Sequence, residues 1–315
     1  MPQNPAPSIV FIIPYRDRPQ QKFVFEKYMK YILEDYKKSE YAIYFVEQKD
    51  MRSFNRGALK NIGFLAMKKK YPKSYKKMTF VFNDIDTFPY KKGILRYKTY
   101  TGVIKHFFGF EHTLGGIFSI TGADFEKLGG FPNFWTWGYE DNVIHNKACK
   151  CFDIRVDRSV FFEVFDHNIV HMTDSLKRTL NLNQINDKDP IVEQNNTVSS
   201  ITNLNYVINE RIIIVKGFDV ILPYEEKITQ HDIKLTDSPT SIQRMKRRFN
   251  NVNGRGATMN MNMNTGNYME MSSYNGEIQS IQNNMGGFQN TMGGFQNTMD
   301  GVQNNNTFSY GMNFF

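Results

Sequence analysis

The sequence predicts an α/β protein built on a mostly parallel central sheet with helices on its faces. Three observations predict it. Ile9-Val-Phe-Ile-Ile13 is an uninterrupted run of branched and aromatic residues, the pattern of a strand buried on both faces. Phe25, Tyr28, Met29, Ile32, Leu33 and Tyr36 then recur at steps of three and four, which is one face of a helix. The alternation repeats, and strand, helix, strand, helix, strand requires crossover connections between parallel neighbours.

In chain order, the first strand is closed by Pro14 and followed by a helix from Gln20 to Lys38. A second strand runs from Tyr41 to Val46, a second helix from about Phe54 to Lys70, and a third strand from Met78 to Phe82. Ligands of such sheets bind beyond the carboxyl ends of the strands. PYRDR, EQ and NDIDTFP, one after each strand, therefore converge on one crevice.

The 315 residues allow one large domain or two small ones, and 40% hydrophobic content suffices for a core. The net charge of +8 comes largely from lysine segments such as YKKSE and KKKYPKSYKK, which read as solvated faces and not as a nucleic-acid groove. No basic region followed by an apolar run opens the chain, and later apolar runs are strand-sized, so no membrane anchor is expected. Cys149 and Cys151 are the only cysteines, too close in sequence to pair without strain. Those features predict a reducing, cytoplasmic setting.

The composition changes after about Asp237. A basic cluster, RMKRR, leads into an Asn, Met, Gly and Gln tail with the repeats MGGFQNT, MGGFQNT and MDGVQNN. The division expected is a catalytic domain over 1–237 and a low-complexity, disordered tail over 238–315, with too few branched apolar residues to offset chain entropy.

Asp84-Ile85-Asp86 follows the buried third strand, and alternation along an extended backbone directs both carboxylates the same way. Paired carboxylates there suit Mn²⁺ or Mg²⁺ bridging a diphosphate. Arg16 and Arg18 after the first strand, and Arg56 in SFNRGALKN, supply guanidinium forks that match phosphate oxygens. GGFPNFWTWGYEDN, residues 129–142, holds both tryptophans and an acidic pair in a segment that reads as neither helix nor strand.

The ordered series IVFIIPYRDR, YFVEQ, FNRGALKNIGF, FVFNDIDTFP, GGIFSITGADFEKLGGFPNFWTWGYED and a later histidine resembles the beta-1,4-galactosyltransferase family, glycosyltransferase family 7, over residues 8 to about 222. The resemblance implies a GT-A fold and metal-dependent, inverting transfer of a hexose from a UDP-sugar donor to a sugar or glycan acceptor. It implies donor contacts at Pro14, Arg16, Arg18, Phe54, Arg56, Asp84, Asp86, Thr113 and Gly116. Asp141 would be the general base beside Glu140, and Trp137 would pack between donor and acceptor on a mobile loop.

The sequence also departs from that family. The family's Met-x-x-His metal ligands fall at Asn168-Ile-Val-His171, with His167 a competing candidate; Asp86, His171 and Asn168 form the expected metal set. An amide oxygen is a harder ligand than a thioether and favours use of Mg²⁺ beside Mn²⁺. Thr113 stands where the family has an aromatic, which makes room for an N-acetyl group on the donor. Tyr139 and Asn142 replace the usual Gly and Asp around Glu140-Asp141, and the membrane anchor and disulfides of Golgi members are not seen. The Asn-rich tail is typical of AT-rich microbial, protist or large-virus genomes. Two alternatives remain open: a degenerate UDP- or carbohydrate-binding protein, and a metal-dependent nucleotidyltransferase that would release pyrophosphate.

Overall fold

A computed structural model describes residues 5–172, 177–181, 194–222 and 228–234. The tail expected from residue 238 lies outside the described residues. In chain order the elements are β1 (Ile9–Tyr15), α1 (Pro19–Ile32), β2 (Tyr41–Gln48), α2 (Arg56–Lys70), β3 (Thr79–Asn83), β4 (Thr87–Pro89), β5 (Val103–Gly109), β6 (Ile117–Thr121), α3 (Gly122–Lys127) and α4 (Glu140–Lys150). There follow β7 (Arg155–Asp157), β8 (Phe162–Glu163), β9 (Ile169–His171), β10 (Lys177–Asn181), β11 (Ile201–Asn209), β12 (Ile212–Val220) and β13 (Ile228–Lys234).

Nine strands form the main sheet, in the order β11-β12-β2-β1-β3-β6-β5-β7 with β8 beside β5. Its centre, β12-β2-β1-β3, is parallel, while β6 is antiparallel to both β3 and β5. β5 and β6 pair antiparallel because the loop between Gly109 and Ile117 is too short for a crossover helix.

Alternate residues of β1 feed two cores. Val10 and Ile12 point to the α2 side with Leu59, Ile62 and Phe64, while Ile9, Phe11 and Ile13 point to the α1 side with Phe25 and Met29. Both faces of the strand are dry, which is why its sequence is apolar without alternation. Pro14 does not close β1: it lies within the strand, opposite Val46, at a point beyond the last β1–β3 pair, Ile12 with Phe82. Its missing N–H removes no bond to β3.

The first helix is shorter than its periodicity suggests. It ends at Ile32, and Tyr36 packs against Tyr41 from the turn that follows. Tyr36 continues the apolar spacing because it still covers the core, not because it is helical. The second helix starts on a real cap, with the Asn55 side chain accepting from the Ala58 N–H at 2.9 Å. That cap fixes Arg56 and Lys60 on consecutive turns at the carboxyl ends of β1 and β2.

No helix among the described residues is long and apolar enough to cross a membrane. Cys149 and Cys151 are both free.

Candidate active site

The crevice forms where β1, β2 and β3 end. β3 stops at Asn83, so Asp84-Ile85-Asp86 is a turn and not the extended segment that alternation presumed. The Asn83 side-chain amide closes it by donating to the Thr87 carbonyl at 2.8 Å, and Ile85 is buried beneath. The two carboxylates thereby face different arginines. Asp84 takes Arg56 in a two-pronged pair, 2.9 Å from Nε and 2.6 Å from Nη2, whereas Asp86 takes Arg18 at 3.1 Å.

Arg56 is the hub of the site. Its Nη1 also donates to Glu140 Oε1 at 2.6 Å and to Asp141 Oδ2 at 2.9 Å. One guanidinium thus joins the Asp-x-Asp turn to the acidic pair, residues far apart in sequence. Burial alone would lower the Arg56 pKa, but Asp141, Asp84 and Glu140 together raise it well above its usual value. Burial would likewise raise Asp84, and Arg56 and Lys60 overcome that and hold it at about 2.

Lys60 completes the cluster and is the residue that sequence reading missed. It is fully buried, with Nζ 3.3 Å from Asp141 Oδ1, 3.9 Å from Asp84 Oδ1 and 4.6 Å from the centre of the Phe131 ring. Its spacing of four from Arg56 was the available signal, since that places both cations on one helix face.

Glu140 and Asp141 do not belong to an irregular segment: they open α4, in its first turn. Carboxylates there meet the positive end of the helix dipole. Glu140 is buried, and its Oε2 has no hydrogen-bond partner. The loop before α4 divides its tryptophans. Trp135 stacks on Phe218 with ring centres 5.1 Å apart, and the Arg52 guanidinium lies 4.4 Å above it. Trp137, by contrast, is 44% exposed between two glycine-bearing turns. Tyr139 caps α4 with φ of +67°, a left-handed conformation ordinarily taken by glycine.

The remaining donor-side residues are placed as follows. Arg16 is occupied by the loop after β2, donating to the Arg52 carbonyl at 2.6 Å and to the Asp50 carbonyl at 3.0 Å, with its Cζ 5.8 Å from the centre of the Phe54 ring. Gly116 lies against Phe108 with φ of +66°, and its carbonyl accepts from the Asp84 N–H at 3.3 Å. Thr113 is buried and turns its hydroxyl back to the Phe110 carbonyl at 3.1 Å.

The β4–β9 ladder brings His171 opposite Thr87, and the next residue, Met172, donates its N–H to the Asp86 carbonyl at 2.7 Å. His171 is therefore carried to the Asp-x-Asp turn. His167 lies before β9 with an 81% exposed side chain, and the Asn168 amide donates to Asp166 at 2.9 Å. Among the described residues no group of three or more His, Cys, Asp or Glu is placed to hold a metal ion. Of the expected ligands, Asp86 and His171 are the two whose backbones the β4–β9 ladder brings to one turn. That partial set fits a hard divalent cation that completes its coordination with diphosphate oxygens and water.

Two family models match the chain: the N-terminal region of glycosyl transferase group 7 over residues 2–98, and the N-terminal domain of galactosyltransferase over residues 91–168. Together they cover more than half of it. The chain belongs to glycosyl transferase group 7. Beta-1,4-galactosyltransferase 1 of Bos taurus is 32% identical over 153 residues, 44% of this chain and 36% of that protein. Human beta-1,4-galactosyltransferase 5 is 30% identical over 153 residues, 46% of this chain and 38% of that protein. The group 7 chain thus spans well under half the length of the curated relatives it matches. Among solved structures it resembles the catalytic domain of Drosophila beta-1,4-galactosyltransferase 7 in complex with xylobiose, with a TM-score of 0.53 at 17% identity, covering 69% of this chain and 95% of that one. A mutant of the same Drosophila enzyme in complex with manganese, UDP-Gal and xylobiose gives a TM-score of 0.54 at 16% identity, covering 69% and 95%. The fold is accordingly the GT-A fold expected from the motifs.

Proposed function

We propose that this chain is a metal-dependent inverting glycosyltransferase that moves a hexose, galactose or N-acetylgalactosamine, from a UDP-sugar to a sugar hydroxyl. The observation that carries this reading is the convergence on Arg56 of Asp84, Glu140 and Asp141, beside the Asp-x-Asp turn to which the β4–β9 ladder ties the backbone next to His171. Family membership and the Drosophila enzyme's complex with manganese and UDP-Gal support it.

In this reading Asp86 and His171 hold the cation, Mn²⁺ or Mg²⁺, with Asn168 a ligand only after leaving Asp166. The bound cation supplies neutralisation of the charge that develops on the departing diphosphate. Arg18 and Arg56 bind the diphosphate through their guanidinium forks. Asp141 accepts the proton of the acceptor hydroxyl as it attacks the anomeric carbon, and Glu140 receives a hydrogen bond from the acceptor through its unpartnered Oε2. Trp137 offers an apolar face to a sugar ring and excludes water when its loop closes. Thr113 leaves the donor pocket wide enough for an N-acetyl group. Free thiols at Cys149 and Cys151 support a reducing, cytoplasmic setting.

The test is UDP release in the presence of Mn²⁺ from UDP-Gal, UDP-GalNAc, UDP-Glc and UDP-GlcNAc, with GlcNAc, glucose and xylose as acceptors. Turnover that Asp141→Asn abolishes is the expected result. Metal-dependent UDP binding without turnover on any acceptor would favour a binding protein, and release of pyrophosphate would identify a nucleotidyltransferase.

A further inference from the structure

Lys60 is buried without an apolar purpose. A lysine at that position takes its ammonium out of water, which persists in folded proteins only where carboxylates compensate it. Its Nζ reaches Asp141 Oδ1 at 3.3 Å, with Asp84 Oδ1 further off at 3.9 Å. The stem is held by α2, and the Phe131 face lies 4.6 Å from Nζ. Asp141 is consequently gripped at both oxygens by different cations: Oδ1 by Lys60 and Oδ2 by Arg56.

The two grips differ in permanence. Arg56 is shared among Asp84, Glu140 and Asp141, and its side chain lies at the crevice with 15% of it exposed. Lys60 has 1% of its side chain exposed. A diphosphate entering the crevice competes for the guanidinium that solvent can reach, not for the buried ammonium. Space at Asp141 also favours one oxygen: Oδ2 faces Gly115, where a Cβ would lie 2.7 Å away.

We infer that Lys60 is a positioning residue for the transfer reaction: it keeps Asp141 aligned through Oδ1 when Arg56 turns to the donor diphosphate, which leaves Oδ2 as the oxygen that receives the acceptor's proton. This rests on the glycosyltransferase reading, with Asp141 as base. It assigns Lys60 to holding the base and not to binding the donor, so truncation acts on kcat and not on donor KM.

The experiment joins a structure with a variant. The full chain is crystallised with Mn²⁺ and UDP, and transfer kinetics are measured for Lys60→Met, or for Lys60→Gln if the first variant does not fold. The expected structure has Arg56 on the diphosphate and Lys60 still hydrogen-bonded to Asp141 Oδ1. The expected kinetics are a loss of kcat on the order of 100-fold, as for other small misplacements of a reacting group, with donor KM within about threefold. Lys60 found on the diphosphate, or a variant that loses donor KM and keeps kcat, overturns the assignment. UDP that does not bind with Mn²⁺, or an Asp141→Asn enzyme as fast as the wild type, removes the underlying reading instead. Full activity in Lys60→Met beside an inactive Asp141→Asn sinks the Lys60 assignment alone.

Discussion

Gly115 leaves to the Asp141 carboxylate the space that a Cβ would otherwise occupy. A Cβ at residue 115 would lie 2.7 Å from Asp141 Oδ2, inside any normal carbon–oxygen separation, while the neighbouring Leu114 N–H donates to the Asp141 carbonyl at 2.9 Å. The backbone tie prevents α4 from backing away, so the side chain must swing. Gly115→Ala is therefore expected to lower kcat on the order of 100-fold, the scale of a misplacement near 1 Å. Calorimetric binding of UDP with Mn²⁺ should be unchanged, and a variant with full kcat would disprove the importance of that space.

Asp86 and His171 are expected to make nucleotide binding depend on the metal. Asp86→Ala should remove the difference in UDP affinity between Mn²⁺-loaded and chelator-treated protein, because it deletes the carboxylate that would hold the cation. Titration calorimetry with and without chelator reads this directly. A variant that still binds UDP more tightly with Mn²⁺ would show that the cation sits elsewhere.

Much of this arrangement was legible in the sequence because its signals are local. β1, β2 and β3 announce themselves by continuous apolar runs, and Asp84 and Asp86 follow a strand-end pattern readable within a few residues, whereas Glu140 and Asp141 stand out through the family resemblance. What was not legible depends on distant partners. Lys60 reads as an ordinary helix lysine until Asp84 and Asp141 are brought to it. Arg52 and Trp135 gain their meaning from Phe218, which β12 delivers from far along the chain. The turn at Asp84–Asp86 escaped for a different reason: β3 ends one residue before it, and strand ends are set by side-chain capping such as Asn83 to Thr87 that periodicity does not report.

His106 gives a pH dependence to the same region. Its Nε2 faces the carbonyls of Phe108 and Gly115 at 3.0 and 3.1 Å and must donate, so Nδ1 accepts from Arg158 Nε at 3.1 Å. A second proton has no place to go. Burial, and next the Arg158 charge, lower the pKa from 6.5 to about 4. The folded state thus binds this proton less readily than the unfolded chain. Its stabilising contribution is complete above pH 6.5 and is lost as pH falls toward 4, by about 3 kcal/mol. Melting temperatures should drop across that window, and His106→Gln should flatten the drop while lowering stability at neutral pH. Equal slopes in the two proteins would refute the assignment.

Tyr139 is strained at the head of α4. Its φ of +67° costs a residue with a Cβ about 1 kcal/mol or more, whereas glycine adopts it freely. Tyr139 is 40% exposed, which limits the packing lost on truncation. Tyr139→Gly should stabilise the fold by about 0.5 kcal/mol, the strain relieved less the extra freedom of the unfolded chain. Denaturant unfolding measures it, and a destabilised variant would mean that the ring carries packing which outweighs the backbone strain.

The two tryptophans should separate stability from activity. Trp135 is sandwiched by Phe218 and Arg52, and Arg52 in turn ties the loop after β2 through Asp50. Trp135→Ala is expected to cost about 2 kcal/mol, from lost apolar area and the stacked pair, and to lower the unfolding midpoint. Trp137 is the more exposed of the two and follows on a loop whose next residue, Gly138, has open space around it. Trp137→Ala should leave the midpoint within about 0.5 kcal/mol of the wild type, while transfer falls and donor hydrolysis rises relative to it, since water is no longer kept from the anomeric carbon. The two variants must be compared in one series. Should Trp137→Ala unfold early and Trp135→Ala retain full stability, the roles are reversed; should neither alter the ratio of transfer to hydrolysis, the loop does not close over the donor.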